Sequence, residues 1–279
     1  MSTGLSHDLR NLPSDEVEKV AVQRFTAESQ ETVEDIVVRE FPLTIMLNGT
    51  ELVTLLCSPA NLKYLAIGFL FSEGLLKGRD DLKRVTVDER KGVVRVETKT
   101  DVMADSEAVF KRLITPGCGR GASFYSAADT GLEKIVRPLT VTGTEILELM
   151  KTFQHHSLLY RETHGVHSAA LCNTRKILIF TEDIGRHNAI DKIFGECLDK
   201  GIPTDDGIIL SSGRMSSEIV IKVARRKVPV LVSKSAPTNT AVKLADELGL
   251  TLIGFVRGTR MNVYTHAERV TVSRLELKS

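Results

Sequence analysis

After Thr142 the chain alternates between short apolar runs and segments with helical periodicity, and polar loops carrying small hydroxyls and cations follow most of the runs. This alternation constrains the fold more than any other feature. Runs at 169–172, 176–181, 207–211, 228–233 and 252–256 have strand length, while 188–200, 216–226 and 239–248 carry apolar residues at helical spacing. A further helix is expected over 144–153, opened by a threonine cap with Glu145 in its first turn. Such alternation builds a sheet covered by helices on both faces. The first strand pair is expected to be antiparallel and the later strands parallel.

The chain before this region reads differently. Residues up to about 19 look like a disordered lead-in. Short β-rich runs fill 20–53, with Asn48-Gly49 as a hairpin turn. A helix should start near Ser58-Pro59, bury Leu62, Leu65, Ala66 and Phe69, and stop at Gly74. Residues 85–87 and 93–96 suit a strand pair around Lys91-Gly92. Thr115-Pro-Gly-Cys-Gly-Arg-Gly-Ala-Ser123 then breaks all periodicity. The expected division is a smaller N-terminal α+β domain over 20–115, a glycine-rich cysteine loop and linker over 116–141, and an α/β domain over 142–270.

The 279 residues, 42% hydrophobic and 26% charged, can bury a core without a metal or disulfide. A net charge of +1 argues against a nonspecific nucleic-acid coat, so any anion site must be local. No apolar run approaches the ~20 residues that span a bilayer. The polar N-terminus lacks a signal core. No nucleic-acid or membrane partner is expected, and the expected compartment is the cytoplasm. Cys57, Cys118, Cys172 and Cys197 are scattered, with no C-x-x-C pair, which predicts free thiols and no grouped zinc ligands.

Cys118 is the candidate for chemistry. Glycines on both sides let backbone N–H groups face an anion, and Arg120 favours the nucleophilic thiolate. A small buried residue in a tight turn is the alternative. Cys57, Cys172 and Cys197 lie in apolar stretches and read as core packing. Two histidines in Glu162-Thr-His-Gly-Val-His-Ser168 suit either a polar site or a hydrogen-bonded turn.

Four polar loops follow strands. In Glu182-Asp-Ile-Gly-Arg-His-Asn188, Asp183 could accept from a base or sugar, while Arg186 and His187 could meet phosphate at a helix start. Ser212, Gly213 and Arg214 precede the next helix as an anion cradle. Ser233-Lys-Ser-Ala-Pro-Thr-Asn239 and Phe255-Val-Arg-Gly-Thr-Arg260 are the third and fourth. Together they point to a large anionic ligand such as a nucleotide with several phosphates.

These motifs resemble the formate dehydrogenase accessory sulfurtransferases, the FdhD family. The resemblance rests on Leu65-Ala-Ile-Gly-Phe-Leu-Phe-Ser-Glu-Gly74, the Cys118 loop, Gly165-Val-His-Ser-Ala-Ala170, Asp183-Ile-Gly-Arg-His-Asn-Ala189, Ser212-Gly-Arg214 with Ser216-Ser-Glu218, and Ser235-Ala-Pro237. It implies a cytidine-deaminase-like three-layer α/β domain beside the smaller N-terminal α+β domain, in a homodimer. It implies that a cysteine desulfurase supplies sulfur as a persulfide on Cys118. The acceptor would be the molybdenum cofactor, Mo-bis-molybdopterin guanine dinucleotide, before its insertion into formate dehydrogenase, with guanine nucleotide as an analogue. Cofactor contacts would fall on Phe255, Val256, Arg257, Gly258, Thr259 and Arg260. Some family members carry C-x-x-C at the loop; here the second position is Gly121, so no two-cysteine relay is available.

Other chemistries fit less well. A zinc deaminase needs H-x-E followed by P-C-x-x-C. His266-Ala-Glu268 supplies only the first half. A rhodanese or cysteine phosphatase needs an arginine where Phe124 stands. A non-catalytic cofactor-binding chaperone for formate dehydrogenase remains open.

Overall fold

The computed structural model describes residues 13–100 and 131–272. Its centre is a six-stranded mixed sheet. The strands are β8 (His167–Cys172), β9 (Ile177–Asp183), β10 (Ile208–Ser211), β11 (Val230–Ser233), β12 (Thr251–Arg257) and β13 (Arg260–Val263), in the order β13-β12-β11-β10-β8-β9. β8 runs antiparallel to both β9 and β10, while β10, β11 and β12 are parallel.

Side-chain alternation sorts the two faces. Ala169, Leu171, Ile209, Leu231 and Leu252 face one core with α4 (Arg186–Lys200), α5 (Ser217–Arg225) and α6 (Asn239–Glu247). Ala170, Cys172, Ile208, Leu210, Val230, Val232 and Ile253 face the opposite core with α2 (Gly143–His156). Helices therefore cover both faces, which is why β10 and β11 read as unbroken apolar runs. A two-residue strand, β7 (Val141–Thr142), leads into α2, whose cap is reciprocal: Thr142 Oγ1 accepts from the Glu145 amide, and Glu145 Oε2 accepts from the Thr142 amide.

The N-terminal part holds an antiparallel pair, β1 (Val17–Phe25) with β2 (Gln30–Val38). A four-stranded sheet follows, formed by β3 (Phe41–Leu47), β4 (Thr50–Cys57), β5 (Leu82–Asp88) and β6 (Val93–Thr98) in the order β4-β3-β6-β5. Asn48 and Gly49 both take positive φ, the geometry a tight hairpin turn demands. Helix α1 (Leu62–Ser72) covers this sheet and packs lengthwise on α4. The approach is backbone to backbone: a Cβ on Gly68 would lie 1.8 Å from the Asp191 carbonyl oxygen, and one on Gly195 would lie 1.8 Å from that of Tyr64.

Several sequence expectations need correction. Residues 17–19, expected in a disordered lead-in, belong to β1, where cross-strand pairing supplies the order. β8 begins two residues early, at His167, and α4 begins at Arg186. The fourth polar loop is a hairpin: β12 continues to Arg257 and returns as β13, an edge strand too short and polar to stand out in the sequence.

Candidate functional site

Because β8 is antiparallel to β10, its first residue reaches the edge where β9, β10, β11 and β12 end. Serines stitch these segments together. Ser212 Oγ accepts from the Ser168 amide at 2.9 Å and lies 3.3 Å from His167 Nδ1. Ser233 Oγ donates to the Gly213 carbonyl at 2.8 Å and accepts from the Ser235 amide at 3.0 Å. The Phe255 amide donates to the Ser235 carbonyl at 3.1 Å. A Cβ on Gly213 would sit 3.0 Å from Arg186 Cβ and 3.5 Å from His167 Nδ1, so glycine permits three segments to converge there.

A pocket of about 270 Å³ opens at this edge, lined by Tyr160, His164, His167, Ile184, Ser212 and Lys234 among others. Tyr160 lies on the short helix α3 (Leu158–Thr163), and His164, which caps it at positive φ, packs edge-on against the Tyr160 ring at 5.1 Å. Lys234 Nζ sits 4.5 Å from the Tyr160 ring centroid.

Positive charge gathers around this edge. Burial, then Arg186 and Lys234, hold His167 below the usual histidine range. Burial and then the neighbouring Arg214 lower the Arg186 guanidinium. His187 is buried, and burial, Lys222 and Arg186 push it down to about 3. It is therefore neutral at pH 7, and its 3.5 Å approach to Glu218 is not an ion pair. Neither ring nitrogen of His187 has a hydrogen-bond partner.

The structure redistributes the sequence-predicted residues. Arg186, Ser212, Gly213 and Arg214 meet at the edge, with Arg214 exposed. Asp183 has no open face. It is fully buried, 2.7 Å from Lys192 Nζ, and accepts from the amides of Ser58 and Gly185 and from Asn188 Nδ2. Asn188 also donates to the Leu56 carbonyl, and the Ile184 amide to Ser58 Oγ. This loop thus latches the N-terminal sheet to the central one, because a carboxylate removed from water must be saturated by charge and donors.

Phe255 takes a positive φ beside a bulge and stays 37% exposed, with the Arg257 guanidinium 5.7 Å from its ring. Gly258 and Thr259 make the hairpin turn, and Arg260 is exposed at the start of β13. Val256, expected as a contact, is 1% exposed and points into the core against α2, so its side chain cannot reach a ligand.

His266 has both ring nitrogens engaged, by Glu268 Oε1 at 3.0 Å and the Asp246 carbonyl at 2.8 Å. Cys57, Cys172 and Cys197 are fully buried, and burial pushes each thiol up to about 12. Cys118 lies outside the described residues, as do Arg120 and Gly121. Tyr160, Ile184 and Lys234 were not singled out by sequence. Tyr160 and Ile184 carry no polar pattern, and Lys234 stood out only as the cation of the third loop.

No helix among the described residues is long and apolar enough to cross a membrane. Residues 38–271 match the family model described as FdhD/NarQ family. The chain is 46% identical over 239 residues to the sulfur carrier protein FdhD of Bacillus subtilis (strain 168), covering 85% of this chain and 91% of that protein. It is 44% identical over 237 residues to the protein of the same name from Staphylococcus aureus (strain MRSA252), covering 85% and 89%. A crystal structure assigned as a formate dehydrogenase accessory protein from Desulfotalea psychrophila superposes with a TM-score of 0.76 at 25% identity, covering 91% of this chain and 99% of that one. With the mixed sheet, the four-stranded N-terminal sheet latched to it and motifs spread from α1 to β12 all within the matched span, the chain belongs to the FdhD/NarQ family.

Proposed function

We propose that this chain is a sulfur carrier for formate dehydrogenase maturation. In this reading it takes sulfur from a cysteine desulfurase onto Cys118 and hands it to a molybdenum cofactor bearing guanine nucleotides. One observation carries the choice of residue. Three of the four cysteines are sealed in apolar cores with thiols pushed up to about 12, which leaves almost no thiolate at pH 7. A relative named for carrying sulfur shares 46% of aligned residues with this chain. Cys118, between glycines and next to Arg120, is the remaining thiol.

The chemistry is two exchanges at sulfur. The Cys118 thiolate attacks the outer sulfur of the donor's cysteine persulfide; a new S–S bond forms, the old one breaks, and the donor leaves as thiolate. On delivery a nucleophilic group of the acceptor attacks the outer sulfur: the acceptor–sulfur bond forms as the Cys118 S–S bond breaks, and the electron pair of that bond returns to Cys118 as thiolate, so sulfur moves at the sulfane level with no net change of oxidation state. With Gly121 in place of a second loop cysteine, Cys118 acts alone. Arg186, Arg214 and Lys234 at the strand-end edge, with Arg257 and Arg260 on the neighbouring hairpin, supply the cations an anionic dinucleotide requires. The strand order and the helices on both faces favour the cytidine-deaminase-like layering, and a cytoplasmic homodimer completes the reading.

Intact mass spectrometry after incubation with a desulfurase and cysteine tests it. The expected result is one added sulfur, absent in Cys118→Ala, together with loss of formate dehydrogenase maturation by that variant. Full maturation by Cys118→Ala would instead favour a chaperone that only binds the cofactor.

A further inference from the structure

The strand-end pocket has a lining that selects its ligand. Its polar groups are the Lys234 ammonium, the Ser212 and Tyr160 hydroxyls and the imidazoles of His164 and His167, and no carboxylate is among the lining residues. A guanine N1–H/N2–H edge is best met by a carboxylate, which the lining lacks; a phosphate presents only acceptors and suits the Lys234 ammonium, with hydroxyls and imidazole N–H groups able to donate beside it. The surroundings agree. Arg186, whose stem packs on Gly213, stands close enough to Arg214 for the two like charges to disfavour each other, and the Arg186 Nε is buried without a partner. Charge on Arg186 and Lys234 also bears on His167. A multiply charged anion would relieve this crowding. At about 270 Å³ the pocket falls just below the roughly 300–1,000 Å³ of whole small-molecule sites, so it holds one end of a ligand.

We propose that this pocket is a phosphate subsite, with Lys234 as the charge partner, Ser212 and the two histidines as hydrogen-bonding groups, and Tyr160 and Ile184 covering the adjoining apolar part of a phosphate ester. The proposal rests on the sulfur-carrier reading only for the rest of that ester, the nucleotide end of the substrate. Its own content is that phosphate, not base, enters here.

Calorimetry on the full chain at low salt tests it with inorganic phosphate, pyrophosphate, guanosine diphosphate and guanosine. Pyrophosphate and guanosine diphosphate should bind at least tenfold more tightly than guanosine. Lys234→Met should weaken both phosphate ligands about tenfold, the loss of one charge-assisted bond. Lys234→Arg should recover part of it. Circular dichroism should show both variants folded, since Lys234 is half-buried and its ammonium faces the Tyr160 ring rather than a buried carboxylate. Inorganic phosphate binding as tightly as guanosine diphosphate identifies free phosphate as the occupant, and weaker binding identifies a nucleotide; both support the subsite. Guanosine binding as well as guanosine diphosphate, or Lys234→Met retaining pyrophosphate affinity within twofold, overturns it. Sulfur loading on Cys118 in Lys234→Met separates the two readings. Normal loading with unaltered phosphate binding sinks the subsite alone. Lys234-dependent phosphate binding with no loading in wild type sinks the sulfur-carrier reading alone.

Discussion

Changing Lys192 to methionine probes the latch between the two sheets. Methionine keeps the length and apolar stem of lysine and deletes the charge. The pair it breaks is fully buried on both sides, with Lys192 Nζ 2.7 Å from Asp183 Oδ2. Lys192 also donates to the carbonyls of Glu182 at 3.1 Å and Ser58 at 3.4 Å, which would lose their donor. Removing one partner of a buried ion pair costs about 3–5 kcal/mol. Asp183 keeps its donors from Ser58, Gly185 and Asn188, which argues for the lower end, about 3 kcal/mol. That is a large part of the roughly 5–15 kcal/mol by which native domains are stable. Urea unfolding followed by circular dichroism reads the loss. A variant within about 1 kcal/mol of wild type would refute the reasoning. So would one of unchanged stability but reduced guanosine diphosphate affinity, which would return Asp183 to the ligand.

Gly195→Ala puts a methyl group 1.8 Å from the Tyr64 carbonyl oxygen and should destabilise by at least about 1–3 kcal/mol, whereas Gly78→Ala, with nothing within 4 Å, should change little; urea midpoints of the two variants check this. Native protein at pH 7.5 should take up one iodoacetamide per chain and four after urea, read by intact mass; two or more in the native state would contradict the sealed sites of Cys57, Cys172 and Cys197. His187, at about 3 in the fold against about 6.5 unfolded, contributes stability that is complete above pH 6.5 and lost as pH falls. The loss by pH 5 should be about 2 kcal/mol at roughly 1.4 kcal/mol per pH unit, and His187→Gln should remove that slope from urea titrations.

Local pattern was enough for the longer elements of the central sheet and for the burial of three thiols. Apolar runs at 208–210 and 230–232 required a sheet covered on both sides, Asn48-Gly49 required a hairpin, and the surroundings of Cys57, Cys172 and Cys197 required thiols inside. These follow from neighbours a few residues away, which the chain itself displays. The assignments that changed depend on distant partners. Asp183 looks like a ligand acceptor until the amide of Ser58, 125 positions earlier, and the buried Lys192 are brought against it. Val256 sits amid arginines in sequence, yet strand alternation turns its side chain into the core. Lys234 and Tyr160 become one pocket only because parallel crossovers bring the end of β11 beside α3. Residue types announce which chemistry a chain can hold; which side chains keep water or a ligand as partner is decided by packing, since each buried polar group is claimed first by whatever the fold presses against it.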